Sequence, residues 1–324
     1  MIREDKGKGM SRKQYSGIRY MAGLLAAVLA LTAFSAAAAE GQVKKLPIDL
    51  SGGAPYKPAY NEHKEYYEDP TIRVDYHRMN HIEDGERNEY NITYFYAFVT
   101  IADASQLRTA SADPKGFNGR NRAPAQKIAR RVNAVLALDG DFHNNFTRDE
   151  GSKYCLRQGT VYRDTVVDFL DMLLIDEDGD FHVYPAGPEL KTLNKEEING
   201  KKIINAFQFG PALVIDGEPV ADEYVLDPAH APWSSEPDIK NPRMCIAQID
   251  RLHYFVLTCW HGVNLAQLRD LVLSITPCRT LYVLDGGNSG QLVFQMVQVN
   301  LQEGINDRTI TDIIYFASAD QAGR

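Results

Sequence analysis

Positive charge is in short supply: 35 Lys and Arg against 43 Asp and Glu leave a formal net charge of -8 over 324 residues. A nucleic-acid binder normally carries a basic face, so that class is set aside. Cysteine is scarce too. The four present (Cys155, Cys245, Cys259, Cys278) include no C-x-x-C pair of the kind that holds structural zinc. Most sit in apolar, strand-like runs, where free buried thiols are expected even in an oxidising compartment. No cysteine near residue 39 offers a lipid-attachment site. The apolar run of residues 21–34 is about 14 residues long, short of the ~20 that span a bilayer. No internal repeat or low-complexity tract follows it.

That run is read as a targeting segment. Lys6, Lys8, Arg12, Lys13 and Arg19 precede it, and Ser35 with four alanines supplies small residues for cleavage. A start at Met10 would give a more ordinary basic region. Residues 1–39 are therefore expected to be a cleaved signal peptide, with an uncleaved anchor as the alternative. The mature protein is expected to be exported (extracellular, periplasmic or envelope-associated), without a membrane anchor. Residues 40–70, rich in Pro, Gly, Tyr and charge, read as a linker or extended arm, and residues 71–324 as the domain.

Hydrophobic content of 44% is enough for a sizeable core. Alternating apolar residues predict strands over 71–76 and 92–101, and shorter ones at 172–175, 181–184 and 212–215. Residues 246–249 and 253–259 read as a hairpin, and 281–284, 291–299 and 310–316 as closing strands. Pro124 opens a predicted helix through residue 134 with Ile128, Ala129 and Val132 on one face, followed by a buried strand at 135–138. Asn264 and Gln267 form a capping-box pattern ahead of Leu265, Leu268 and Val272. Asp176-Glu-Asp-Gly-Asp180 faintly resembles a calcium loop, but its glycine comes too early and no distal glutamate follows, so a turn is expected. Most of the 17 tyrosines are explained by strand preference, though a surface for stacking sugars is compatible with them. The fold class is α+β: one large domain with a mainly antiparallel twisted sheet flanked by a few helices.

Chemistry-bearing residues fall into five clusters. The first is Asp139-Gly-Asp141-Phe-His143 at a strand exit, and the second runs from Gly151 through Arg157 to Tyr162. Gly210-Pro-Ala-Leu213 is the third. The fourth is Pro242-Arg243-Met-Cys-Ile246 with Trp260-His261-Gly262. The last is Leu284-Asp285-Gly286-Gly287-Asn288-Ser289-Gly290 with Asp307-Arg308 and Asp312-Ile-Ile314. A carboxylate at a strand end before two glycines suits an anion site, since turn N–H groups can converge on phosphate oxygens. Taken singly, Asp-Gly turns are common, and an isolated arginine is more often a surface ion-pair partner.

In this order the motifs resemble the phosphodiester glycosidase family over residues 92–318. The family's pattern runs Asn-Gly-Asp-aromatic, Gly-Pro-x-Leu, Pro-Arg-x-x-Ile, Asp-Gly-Arg, Leu-Asp-Gly-Gly-Gly-Ser-Ser and a closing Glu-Arg-x-x-x-Asp-Ile-Ile. Here Asp139 replaces its Asn, His261 and Val263 replace the Asp and Arg of Asp-Gly-Arg, and Asn288 and Gly290 replace a Gly and a Ser. The resemblance implies hydrolysis of a sugar C1–O–phosphate bond. It makes Asp285, with Asp139 or Asp141, the candidate base, nucleophile or charge stabiliser. Arg243 and Arg308 become phosphate clamps, because a guanidinium grips phosphate with two parallel hydrogen bonds. Gly286, Gly287, Asn288 and Ser289 would supply donors to the phosphate, and His261 could bond a sugar hydroxyl. Arg157 is expected to orient the sheet edge or to reach substrate. The partner is a glycan or sugar phosphate. No cofactor is implied, with a divalent cation such as calcium near Asp141 as the alternative. A second reading, prompted by the substitutions, is a non-catalytic envelope or polysaccharide-binding protein with the same fold.

Overall fold

The computed structural model describes residues 44–48, 60, 64–79, 92–140, 154–230 and 240–320. Residues 1–39, expected to be a signal peptide, and Asp141 lie outside the described residues. No described helix is long and apolar enough to cross a membrane.

Chain order begins with β1 (Tyr66–Asp69) and β2 (Ile72–Met79), a hairpin whose corner is held by Asp69 accepting the Thr71 and Ile72 amides. Thus β1 falls within the stretch read as a linker, and Tyr67 of β1 is in the core. The long β-prone run becomes β3 (Tyr94–Ile101), and β4 (Leu107–Ser111) follows. Helix α1 (Ala125–Arg131) starts after Pro124 and buries Ile128 and Ala129. It stops early because Asn133 takes a left-handed φ of 52°, which asparagine tolerates better than most residues.

The run behind it forms β5 (Ala134–Asp139), buried at every position. The middle of the chain supplies β6 (Cys155–Arg157), β7 (Thr160–Arg163), β8 (Met172–Asp176) and β9 (Phe181–Tyr184). Next come β10 (Glu197–Ile198), β11 (Lys201–Gln208), β12 (Ala212–Ile215) and β13 (Glu218–Pro219). After the one-turn α2 (Asp222–Val225), the expected hairpin appears as β14 (Met244–Asp250) and β15 (His253–Cys259).

Helix α3 (Leu265–Ile275) has the predicted capping box: Asn264 accepts the Gln267 amide at 2.9 Å and Gln267 accepts the Asn264 amide at 3.1 Å. The chain closes with β16 (Thr280–Leu284), β17 (Leu292–Phe294), β18 (Val297–Gln298) and β19 (Asp312–Ala317). The single strand expected over 291–299 is a hairpin instead. Gln295 and Met296 both adopt positive φ, the two-residue turn geometry that matches strand twist, and neither residue type advertises it.

Among the described residues the ladders form three antiparallel sheets rather than one large sheet. The eight-stranded sheet runs β1-β2-β3-β15-β14-β16-β12-β13, the five-stranded sheet β18-β17-β5-β19-β4, and the third β7-β6-β11-β8-β9 with β10 against β11. The main core draws on all three: Phe95 and Phe255 from the first, Leu138 and Phe316 from the second, Leu173 and Phe207 from the third. On the other face of the five-stranded sheet, Ala137, Ile313 and Tyr315 pack with Ile128 of α1. Covered on both faces, β5 is apolar without alternation.

Candidate active site

Strand β14 lies between β15 and β16, and Met244 pairs with Leu284 at the end of the β14–β16 ladder. Arg243 and Asp285 are the next residues along the two strands, just past that last pair. Both are nearly out of solvent, at 4% and 8% exposure. The Gly287 amide donates to the Pro242 carbonyl at 2.8 Å, tying the turn after Asp285 to the residue before Arg243. The approach is so close that a Cβ on Gly286 would fall 2.4 Å from the Pro242 oxygen, and Gly287 takes a φ of 54°.

Arg243 is braced from the other side as well. Its carbonyl accepts the Cys259 amide at 3.0 Å, its own amide donates to Cys259 Sγ at 3.2 Å, and Nε donates to the Val263 carbonyl at 2.9 Å. Burial pushes the guanidinium pKa down to about 10, partly opposed by Cys259. It therefore stays cationic at neutral pH. The result is a fixed positive charge at a strand end, next to a turn whose backbone N–H groups could meet an anion.

Arg308 meets that turn from the far end of the chain. Its amide donates to the Asn288 carbonyl at 3.1 Å and its Nη1 lies 3.5 Å from Ser289 Oγ. Gln291 links the next elements, with Nε2 donating to the Arg308 carbonyl and Oε1 accepting the Ala125 amide at 2.8 Å. Asp139, fully buried at the end of β5, pairs with Ile313. Continuing the β17–β5 register, Leu292 with Leu138, sets Gln291 on its other side.

The remaining predicted residues sit elsewhere. His261 is exposed on the bend between β15 and α3, two residues before the Val263 carbonyl that holds Arg243. Arg157 is wholly buried, with Nε 2.9 Å from Asp312 Oδ2 and its guanidinium 3.9 Å from the Phe207 ring centre. That placement commits it to the interior. The Asp176–Asp180 turn is closed by Lys201, whose Nζ lies 2.9 Å from Asp178 Oδ2 and 3.5 Å from Asp180 Oδ2. Among the described residues no group of three or more His, Cys, Asp or Glu side chains is placed to hold a metal ion. All four cysteines are buried thiols outside any disulfide.

One supporting residue was not singled out from sequence. Asn300, fully buried, donates to the Gly290 carbonyl at 2.7 Å, accepts the Leu292 amide at 2.9 Å, and offers its own carbonyl to Trp260 Nε1 at 2.6 Å. It pins the far end of the Asp285 turn. No local pattern marks it, since an asparagine between short strands reads as turn chemistry. Asp312 stood inside a recognised motif, but its partner is 155 residues away.

Comparisons with known proteins bear on the family and the fold. No curated protein matches the chain. Among solved structures, the catalytic domain of zebrafish N-acetylglucosamine-1-phosphodiester alpha-N-acetylglucosaminidase, auto-inhibited by its pro-peptide, matches with a TM-score of 0.59 at 12% identity. The match covers 78% of this chain and 86% of that one. A hypothetical protein from Synechocystis matches with a TM-score of 0.50 at 11% identity, over 76% of this chain and 62% of its own. At such identities the likeness is one of fold. The sequence model of the phosphodiester glycosidases matches residues 132–317, which takes in β5, β14, β16 and β19 with the residues built up above. The chain belongs to the phosphodiester glycosidase family.

Proposed function

We propose that this protein is an exported hydrolase that cleaves the C1–O bond of a glycosyl phosphodiester in a cell-envelope polymer, exopolysaccharide or host glycan. The observation that supports the reading is that Arg243 and Asp285 flank the paired ends of β14 and β16, beside a glycine turn tied to Pro242. Arg243 would take two oxygens of the phosphoryl group, with Arg308 and Ser289 as further donors. A phosphate monoester, with a second pKa near 6, leaves without a strong proton donor. Water then forms the new bond at C1 as the phosphate departs with the electrons of the old one. Asp285 takes the proton of that water or stabilises the oxocarbenium-like sugar. Asp139 and Asp141 remain candidates for the second carboxylate. The basic, apolar and small-residue segments of the N-terminus support export.

The test is release of reducing sugar from a sugar-1-phosphate diester by the parent, Arg243→Ala and Asp285→Asn proteins. Activity should vanish in both variants while their melting curves stay cooperative. Unchanged turnover in either one removes that residue from the site.

A second reading is a glycan-binding protein without catalysis. It is favoured by Val263, a buried apolar residue where the family motif has arginine, and by His261 in place of an aspartate. Binding of a phosphorylated glycan with no hydrolysis across many diesters would select it. Activity lost to a chelator and restored by calcium or magnesium would instead point to metal assistance.

A further inference from the structure

Residues 44–48 form one wall of a cavity of about 160 Å³, whose other walls come from β4, β8 and β11. That is room for on the order of ten waters, and none of its lining residues belongs to the Arg243–Asp285 pair. The arm is held there by the Leu46 amide, which donates to Ser105 Oγ at 2.8 Å, and by the buried Leu46 side chain.

Two buried donors line the cavity. Asn205 is 1% exposed, and its Oδ1 accepts from Thr109 Oγ1 at 2.9 Å and from the Gln158 amide at 3.2 Å. Two donors on that oxygen fix the carboxamide orientation, and among the described residues no acceptor meets its Nδ2. Arg108 is also 1% exposed, and it donates only to neutral oxygens: the Tyr315 hydroxyl at 3.1 Å and the carbonyls of Ser105 and Pro47. A guanidinium removed from water without a counter-charge is costly.

Two carboxylates, Asp176 and Glu177, also line the cavity, and both already accept from protein donors. Asp176 accepts the Asp178 and Asp180 amides and faces His182 at 2.9 Å, while Glu177 accepts the Lys202 amide at 3.1 Å. Lys45 and Lys202 lie exposed along the rim. The lining thus sets three cations, Lys45, Arg108 and Lys202, against two carboxylates, and Asn205 Nδ2 adds a donor.

We propose that this cavity is a second binding site, taking a small oxyanion (a phosphate or carboxylate group) on Arg108 and Asn205, with Lys45 and Lys202 drawing it in. Desolvated donors of this kind discriminate strongly for a ligand that can accept their hydrogen bonds.

Inorganic phosphate and, separately, acetate are titrated into the full chain, with affinity read by calorimetry and location by hydrogen exchange at residues 44–48. Phosphate or acetate should bind with slowed exchange at the Leu46 amide, and binding should persist in Arg243→Ala. Lys45→Glu/Lys202→Glu, both exposed positions that leave the core intact, should weaken binding roughly tenfold or more. Asn205→Asp, which reverses the donor, should weaken it further if that variant folds. The proposal is overturned by binding that is indifferent to the lysine pair, by binding that disappears with Arg243 alone, or by no protection at residues 44–48 with either anion.

Discussion

Arg157 on β6 and Asp312 on β19 meet at 2.9 Å with both side chains out of solvent, joining two different sheets. The guanidinium also donates to the carbonyls of Leu156 and Ala206 and lies over Phe207. A residue so engaged acts as a bolt between sheets. Arg157→Ala should cost ~3–5 kcal/mol by stranding a buried carboxylate. A double replacement by Met and Leu should recover much of that loss. Denaturant unfolding measures both. A stable Arg157→Ala protein with a raised KM would return Arg157 to the substrate site.

Gly286 offers a sharper probe of the site, because a Cβ there meets the Pro242 carbonyl oxygen at 2.4 Å. Gly286→Ala must push the end of β16 away from the end of β14, separating Asp285 from Arg243. Misplacement on the ångström scale costs on the order of a hundredfold in rate. Steady-state kinetics should show that loss, with a smaller drop in melting temperature. Full activity would show that the spacing of these strand ends is not used.

Asp176 supplies a pH prediction. Burial works to raise its pKa, but His182 and the Asp180 and Asp178 amides outweigh it, and the net shift is downward. A carboxylate whose folded pKa is depressed stabilises the protein above its unfolded pKa, and the contribution is lost as pH falls through the folded value. Asp176→Asn should therefore lower stability at pH 7 by ~1–3 kcal/mol. In acid the parent and variant should converge. Unfolding free energies measured from neutral to acid pH check it, and a constant difference would contradict the assignment.

The thiols should be inert in the native state. Burial pushes Cys259 up to about 11 and Cys278 up to about 12, and Cys245 is raised as well. Little reactive thiolate exists at pH 8, and access is closed. A chromogenic disulfide reagent should find essentially no thiol in the folded protein and all four after denaturation. Fewer than four on unfolding would reveal a disulfide.

Local chemistry was readable wherever the decisive residues are neighbours in the chain. The Asn264–Gln267 capping box, the break after Pro124 and the acidic turn at 176–180 depend on contacts within a few residues. Reading failed at Gln295-Met296, where tertiary pairing with β5 and β18 imposes a turn that neither residue favours. The single sheet also failed. Strands buried on both faces, such as β5, carry the same apolar run whichever sheet they join.

The candidate site divides the same way. Residue types and motif order pointed to Asp285, its glycines and Arg243, and to the family. The strand ends that lead into these residues meet only because β14 pairs with β16 in the sheet. The bolt between Arg157 and Asp312 and the brace from Asn300 to Gly290 likewise join distant stretches. The sequence alone determined the elements set by near neighbours, such as the α3 cap and the 176–180 turn, since torsional preference and capping act over a few residues. Tertiary structure alone decided which strand ends meet, because that choice is made by cooperative burial of many similar apolar faces.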